Sequence, residues 1–290
     1  MTRGRAILLL SISVLFFSTS GVLVKLSSWN ALALTGGRSL IAGLVILAYL
    51  RKPRFAWSSA QIGGAVAYVG TQVFFVAATQ MTSAANAILL QYTAPIWVAI
   101  FGIWFLGEKP KRIDWIAMAA IGVGMALFFN EGLSRSGYLG NMYAILSGVS
   151  LAWLVLFLRK QAGESTLETI LLGNALAAMI GIPFMLRSSP DTLDWGILFF
   201  LGVFQLGLPF ILYTRAIRYL SAVETILVQS LEPILNPIWV YMTIGEIPSP
   251  QALLGGLIVL VSITTRAVIT AVGGRRRLQG TSPVQASTGD

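Results

Sequence analysis

Apolar runs of about 20 residues recur along this chain, and a helix rising 1.5 Å per residue needs about that length to cross the hydrocarbon core of a bilayer. They fall near 6–27, 31–50, 60–80, 83–106, 113–130, 137–159, 166–186, 194–218, 222–244 and 251–272. Inside lipid every backbone N–H and C=O must be satisfied within its own segment, so runs of this kind predict helices rather than open sheet. The fold class that follows is an all-α membrane protein of ten transmembrane helices. The connecting segments are too short for an extramembrane domain, and the lipid bilayer is therefore the first partner. Composition agrees: 56% of the 290 residues are hydrophobic and 11% charged, against about one quarter charged in soluble domains.

The first run imitates a cleaved signal peptide, with Arg3 and Arg5 ahead of "AILLLSISVLFF" and small residues from Ser18 to Gly21. Its apolar stretch continues to Leu26, as a spanning helix requires, and it is read as span one. At the other end, 273–290 is polar after its arginines and is expected to be a disordered cytoplasmic tail.

Cysteine and histidine are both absent. That removes thiol nucleophiles, disulfides, the usual zinc ligands and most general-base arrangements, so no metal and no cofactor is expected. No GxxxxGK[ST] phosphate loop, HExxH or paired-carboxylate motif occurs, and the chain is not expected to be an enzyme or to have catalytic residues. The net charge of +9 does not form one patch, which argues against a nucleic-acid partner. With the N-terminus inside, sixteen Lys and Arg fall on inner loops and two, Arg135 and Arg187, on outer ones. This asymmetry predicts that both termini are cytoplasmic.

A shift of 138 residues lays "SAANAILLQYTAPIWVAIFGIWFLGEKP" (83–110) over "SAVETILVQSLEPILNPIWVYMTIGEIP" (221–248). The shared Gln, Pro and Gly-Glu-x-Pro positions are the informative identities, because Leu, Ile and Ala recur by composition alone. The halves are thus 1–132, spans one to five, and 137–272, spans six to ten. Five spans per half is odd, so the second half enters the membrane inverted. Charges follow the flip: Lys109, Lys111 and Arg112 after span four have no counterpart in "GEIPSP", whereas "RAIRYLSA" gains Arg215 and Arg218 over "QMTSA". Inverted repeats of this kind characterise secondary transporters.

With these two copies, "VKL" at Lys25 and "GGRSLIAG" at Arg38, the chain resembles the drug/metabolite transporter superfamily and its ten-span EamA-type exporters. Within that group it is most similar to the YddG-type aromatic amino acid exporters. The resemblance implies two interlocked five-helix repeats around a central cavity. It also implies a small-molecule substrate, an amino acid, exported across a bacterial inner membrane. Multidrug or other metabolite efflux, or flipping of a lipid-linked sugar, is the alternative on the same fold.

The residues themselves suggest where the chemistry sits. Pro95 and Pro233 lack the amide hydrogen that would reach the carbonyls of Gln91 and Gln229, so both are hinge candidates, as is Pro237. Broken backbone at this depth is tolerated where it is buried in protein or lines a wet cavity. Thr225, Gln229, Glu232 and Asn236 recur at helical spacing and predict a polar stripe facing that cavity. An ionised Glu232 there costs about 2.5–3.5 kcal/mol, which calls for a partner, a proton or a substrate ammonium group. Tyr92, Trp97, Trp153 and Tyr213 are the aromatics placed to enclose a side chain, or to pack. Trp29, Trp57, Trp115 and Trp195 are assigned to the interface belt. Lys25 is expected to snorkel from span one. Arg38, two turns inside span two, is expected to pair with an acid or a helix end rather than with a substrate carboxylate.

Overall fold

The computed structural model describes residues 1–107, 111–128, 135–161, 166–188, 190–220 and 222–279, without the side chains of 222, 223, 226 and 270–279. The expectations for Glu108, Lys109 and Pro110, for Ser221 and for the tail beyond 279 lie outside the described residues. Eight helices are long and apolar enough to span: Arg3–Leu26, Ala31–Leu50, Ser59–Met81, Ala84–Phe105, Arg135–Lys160, Thr166–Met185, Thr192–Tyr219 and Pro250–Ile269, numbered here spans one to four, six to eight and ten. Span five, Arg112–Phe128, has 17 residues, and span nine is the broken pair Ala222–Gln229 and Glu232–Ile244. Among the described residues there is no strand.

Helix starts are written locally. Asn30, Ser58 and Ser83 each accept the N–H three residues ahead, which satisfies one of the donors a helix leaves open. Asp191 and Asp194 form a capping box at the start of span eight. The Gly-Glu-x-Pro signal is also explained in part. Gly107 and Gly245, repeat mates, have φ of +68° and +71°, the left-handed conformation with which glycine stops a helix.

The packing obeys the repeat. Span two crosses span seven, span four meets span nine, and span five lies along span ten, each pair being its own image under the shift. Spans three and six, the most extensive pair, correspond to spans eight and one. At the crossing of spans two and seven a Cβ on Gly36 would lie 2.4 Å from Gly181 Cα, and one on Gly43 would lie 3.5 Å from Asn174 Cβ. Since 36 maps to 174 and 43 to 181, these are one contact seen twice, in reverse chain order, as a two-fold axis demands. The molecule is therefore two inverted five-helix repeats.

Leucines, isoleucines and valines such as Leu44, Val66, Val123 and Leu257 stay exposed around the outside, where lipid rather than water is their neighbour. Polar side chains including Arg38, Asn86, Asn141, Asn174 and Asn236 are buried. That inversion of the soluble pattern places the chemistry on the inside. One face of the bundle carries the N-terminus, and is called the terminal face below; the other is the far face.

Candidate functional site

Spans four and nine break where their prolines predict. Span four is helical over Ala84–Gln91 and again over Ala94–Phe105; span nine restarts at Glu232. Pro95 and Pro233 each sit at the beginning of the second segment, where a missing N–H costs nothing because that donor has no helical acceptor. Pro237 is different: the helix runs on through it to Ile244.

At the break of span nine four predicted residues meet. The Tyr92 hydroxyl lies 2.9 Å from Glu232 Oε2 and 3.1 Å from the Gln229 carbonyl oxygen, the one that Pro233 deprives of a helical donor. Tyr213, from span eight, hydrogen-bonds the Gln229 side chain. Glu232, Gln229, Tyr92 and Tyr213 are all partly buried. Both halves of the molecule thus contribute to one polar cluster containing a carboxyl group. Among the described residues no Lys or Arg pairs with Glu232.

The break of span four is tighter. Gln91 Nε2 donates to Ser147 Oγ at 2.7 Å, and Ser147 Oγ donates to the Thr71 carbonyl at 2.8 Å. The Gln91 carbonyl faces Gly148, where an added Cβ would sit 2.9 Å from that oxygen. Glycine is required there because the backbones of spans four and six touch.

The predicted stripe on span nine is divided. The interruption sets Gln229 apart from the second segment, and Asn236, one turn beyond Glu232 on that same segment, does not join the cluster. It is buried against span one, donates to Ser20 Oγ at 3.1 Å, and presses on Gly21, where a Cβ would be 2.2 Å from its Oδ1. Asn236 is a packing contact. Trp239 beside it donates to Ser18 Oγ at 2.9 Å. Thr225 lies with Glu224 in the segment leading to the terminal face, where Glu224 is bound to Arg3.

The aromatic candidates separate as well. Trp97 stacks on Phe101, and Phe101 stacks on Trp153 at 5.0 Å. Trp153 also packs with Trp104, Phe105 and Phe157. These rings form a column between spans four and six that ends under Lys160, whose ammonium is 4.5 Å from the Phe105 ring. Tyr92 and Tyr213, by contrast, belong to the polar cluster. Trp29 is not a belt residue: it is 3% exposed, meets Trp195 edge to face and accepts from Gln80 through its carbonyl.

Both intramembrane cations differ from expectation. Arg38 is fully buried and donates to amide oxygens, Gln72 Oε1 at 2.6 Å and Gln205 Oε1 at 3.4 Å, with no acid or helix end as partner among the described residues. Gln205 lies within a π-helical turn, Leu201–Gly207, and such a turn re-aims side chains within a helix. Lys25 does not snorkel. It pairs with Glu246 at 2.9 Å and donates to the Thr82 carbonyl at 2.7 Å, while Glu246 accepts from Ala84 N at 2.7 Å. This clamp ties both halves together at the far face; Arg266 on Asp114, at 2.6 Å, and Arg3 on Glu224 do so at the terminal face.

Gln72, Gln205, Ser147 and Asn174 were not singled out from sequence, and Glu246 only as part of the repeated Gly-Glu-x-Pro signal. The signal of the first, second and fourth was available as polar residues within apolar runs, "GTQVFF", "VFQLG" and "LLGNAL". A shallow cleft at the far face, lined by Ser28, Trp29, Asn30, Ser188 and Pro190, contains none of the candidate residues.

An inverted pair of five-helix bundles, with broken spans crossing at buried polar groups, defines a membrane transporter of small molecules rather than an enzyme. Residues 4–130 and 138–265 match the EamA-like transporter family, and the chain belongs to it. It is 28% identical to the pseudopaline exporter CntI of Pseudomonas aeruginosa over 88% of this chain and 93% of that protein. It is 23% identical to the threonine/homoserine exporter RhtA of Escherichia coli over 81% of each. A crystal structure at 18% identity superposes with a TM-score of 0.65, covering 93% of this chain and 99% of the other, and speaks for the fold.

Proposed function

We propose that the protein exports neutral amino acids, aromatic ones among them, across a bacterial inner membrane, with both termini in the cytoplasm. The halves 1–132 and 137–272 alternate access to a central cavity between spans four, eight and nine, bending at the breaks before Pro95 and Pro233. The observation that carries this reading is Glu232, a carboxyl group at a helix break, held by Tyr92 and left without a basic partner among the described residues. A substrate ammonium group is a cation of the right size to face it, and Tyr92 and Tyr213 offer rings to an apolar side chain. The amino acid exporter among the relatives supports the substrate class.

The test is reconstitution in liposomes with labelled Trp, Phe, Thr and a cationic dye offered separately. Saturable counterflow of an amino acid is expected; transport of the dye alone would assign the protein to drug efflux instead. Single cysteines, introduced into this cysteine-free chain, check the orientation. A cysteine at position 109 is expected to resist impermeant reagents in intact cells, and labelling from outside would reverse the topology.

A further inference from the structure

A guanidinium enclosed within the bundle calls for a counter-charge, and among the described residues Arg38 receives none. Its head carries five N–H donors. Two of its bonds go to Gln72 Oε1 on span three and Gln205 Oε1 on span eight, both neutral amides. The Nε donor finds no partner among the described residues, and no part of the residue is exposed. Amide dipoles accept hydrogen bonds without cancelling a charge, and a buried charge is tolerated when it is both hydrogen-bonded and paired.

Two neighbours on span two share this condition. Thr35 and Ser39 are buried, and neither hydroxyl has a partner among the described residues. Hydroxyls elsewhere in the spans fold back: Thr71, Thr79, Thr214 and Ser262 each donate to the carbonyl four residues earlier. Those of Thr35 and Ser39 do not, and remain available to a third party. At 3.6 residues per turn positions 35, 38 and 39 fall within an arc of about 100° on the helix surface. One cation and two hydroxyl donors are thus gathered on one side of span two. The cluster occurs once in the molecule. Under the shift of 138 residues Thr35, Arg38 and Ser39 correspond to Gly173, Leu176 and Ala177, and the two glutamines to Phe210 and Ala67. The duplicated architecture folds its other half without these groups, so they serve something besides the architecture.

We infer that Thr35, Arg38 and Ser39 bind a small monovalent anion of the halide class, held between spans two, three and eight. The packing sets its size. A Cβ on Gly37 would lie 2.8 Å from Leu198 Cδ1, and one on Gly202 would lie 2.4 Å from Ile41 Cβ and 3.0 Å from the Arg38 carbonyl oxygen. Walls this close suit an ion and leave no room for an amino acid side chain. Gln205, which binds Arg38, and Tyr213, which binds Gln229, are separated along span eight by about 12 Å of helix, whereas the ammonium and carboxylate of an α-amino acid sit on one carbon. The halide site is therefore distinct from the cluster at Glu232, and it does not depend on the substrate reading. Its ion neutralises the guanidinium and ties a span of the second half to two spans of the first.

Thermal unfolding of the purified full chain in detergent tests this, with sodium gluconate replaced stepwise by sodium chloride or bromide at constant ionic strength. The midpoint is expected to rise and to saturate with either halide. Thr35→Val and Ser39→Ala, which keep the guanidinium in place, are each expected to raise the half-saturating concentration about fivefold, the loss of one hydrogen bond. Arg38→Gln is expected to abolish the response; should it fail to fold, the two hydroxyl variants decide. Crystals grown in bromide are expected to show an anomalous peak within hydrogen-bonding reach of Arg38 Nε. A midpoint indifferent to halide would overturn the inference, and so would a halide response unchanged in both hydroxyl variants or bromide peaks found elsewhere only. A rise produced by acetate but not by halide would overturn it as well and assign Arg38 to a carboxylate ligand.

Discussion

Spans four and nine carry the same defect, a proline four residues after a glutamine, and the protein accommodates it in two ways. At Gln91 the freed carbonyl rests against Gly148, the side chain is tied to Ser147, and Gln91, Thr93 and Ala94 are all buried. At Gln229 the carbonyl is served by a hydroxyl from the other half, and Gln229, Ser230 and Glu232 remain partly open. The first break is closed by backbone packing and the second by one hydroxyl shared between a carbonyl and a carboxyl group. Two copies of one repeat thus hold the same defect differently, one sealed and one partly open, and Glu232, whose mate is Ala94, marks the open one.

This contrast is breakable. Gly148→Val is expected to have the largest effect, because its Cβ would meet the Gln91 carbonyl at 2.9 Å and the Thr93 hydroxyl at 3.3 Å; overpacking of this kind costs about 1–3 kcal/mol or more. Thermal unfolding in detergent measures it, and an unchanged midpoint would mean that the span four break is as pliant as its mate. Next comes Glu232→Ala, which removes a charge-assisted contact of about 1.5–3 kcal/mol and is expected to slow amino acid export at least about tenfold while unfolding changes little. Export at wild-type rate would take Glu232 out of the substrate path. Tyr92→Phe deletes one hydroxyl from the break of span nine, worth about 1 kcal/mol, and should weaken substrate binding several-fold in a competition assay; a loss of folded protein instead would make Tyr92 a structural strut. The smallest effect is expected for Ser147→Ala, since interhelical hydrogen bonds in membranes average about 0.6 kcal/mol. A destabilisation several times larger would show that the side-chain tie, rather than Gly148, holds the first break.

Much of the architecture was legible because lipid imposes a length on every span and the shift of 138 residues exposes the duplication. The prolines announced both breaks for a local reason, the missing N–H. What stayed hidden depends on which faces meet. Periodicity put Asn236 in line with Gln229 and Glu232, and it does follow Glu232 on one unbroken segment, but span one packs over that turn and Asn236 donates to Ser20. Arg38 was expected to find an acid; its partners are two amides from spans three and eight, distant in sequence by 34 and 167 residues. The π-helical turn that presents Gln205 leaves no mark in residue type. Lys25 was assigned to the lipid surface because its partner, Glu246, follows span nine and becomes a neighbour only once the halves interlock.

The near contact of Gly36 with Gly181 has a mechanical consequence. Spans two and seven meet there and again at Gly43 beside Asn174, so the point midway between these two images is the one least displaced by any rocking of the halves. Spectroscopic labels fixed at this waist would register stillness however fast the carrier cycles. Labels on the two mouths, near Leu26 and Leu50, would register the full stroke.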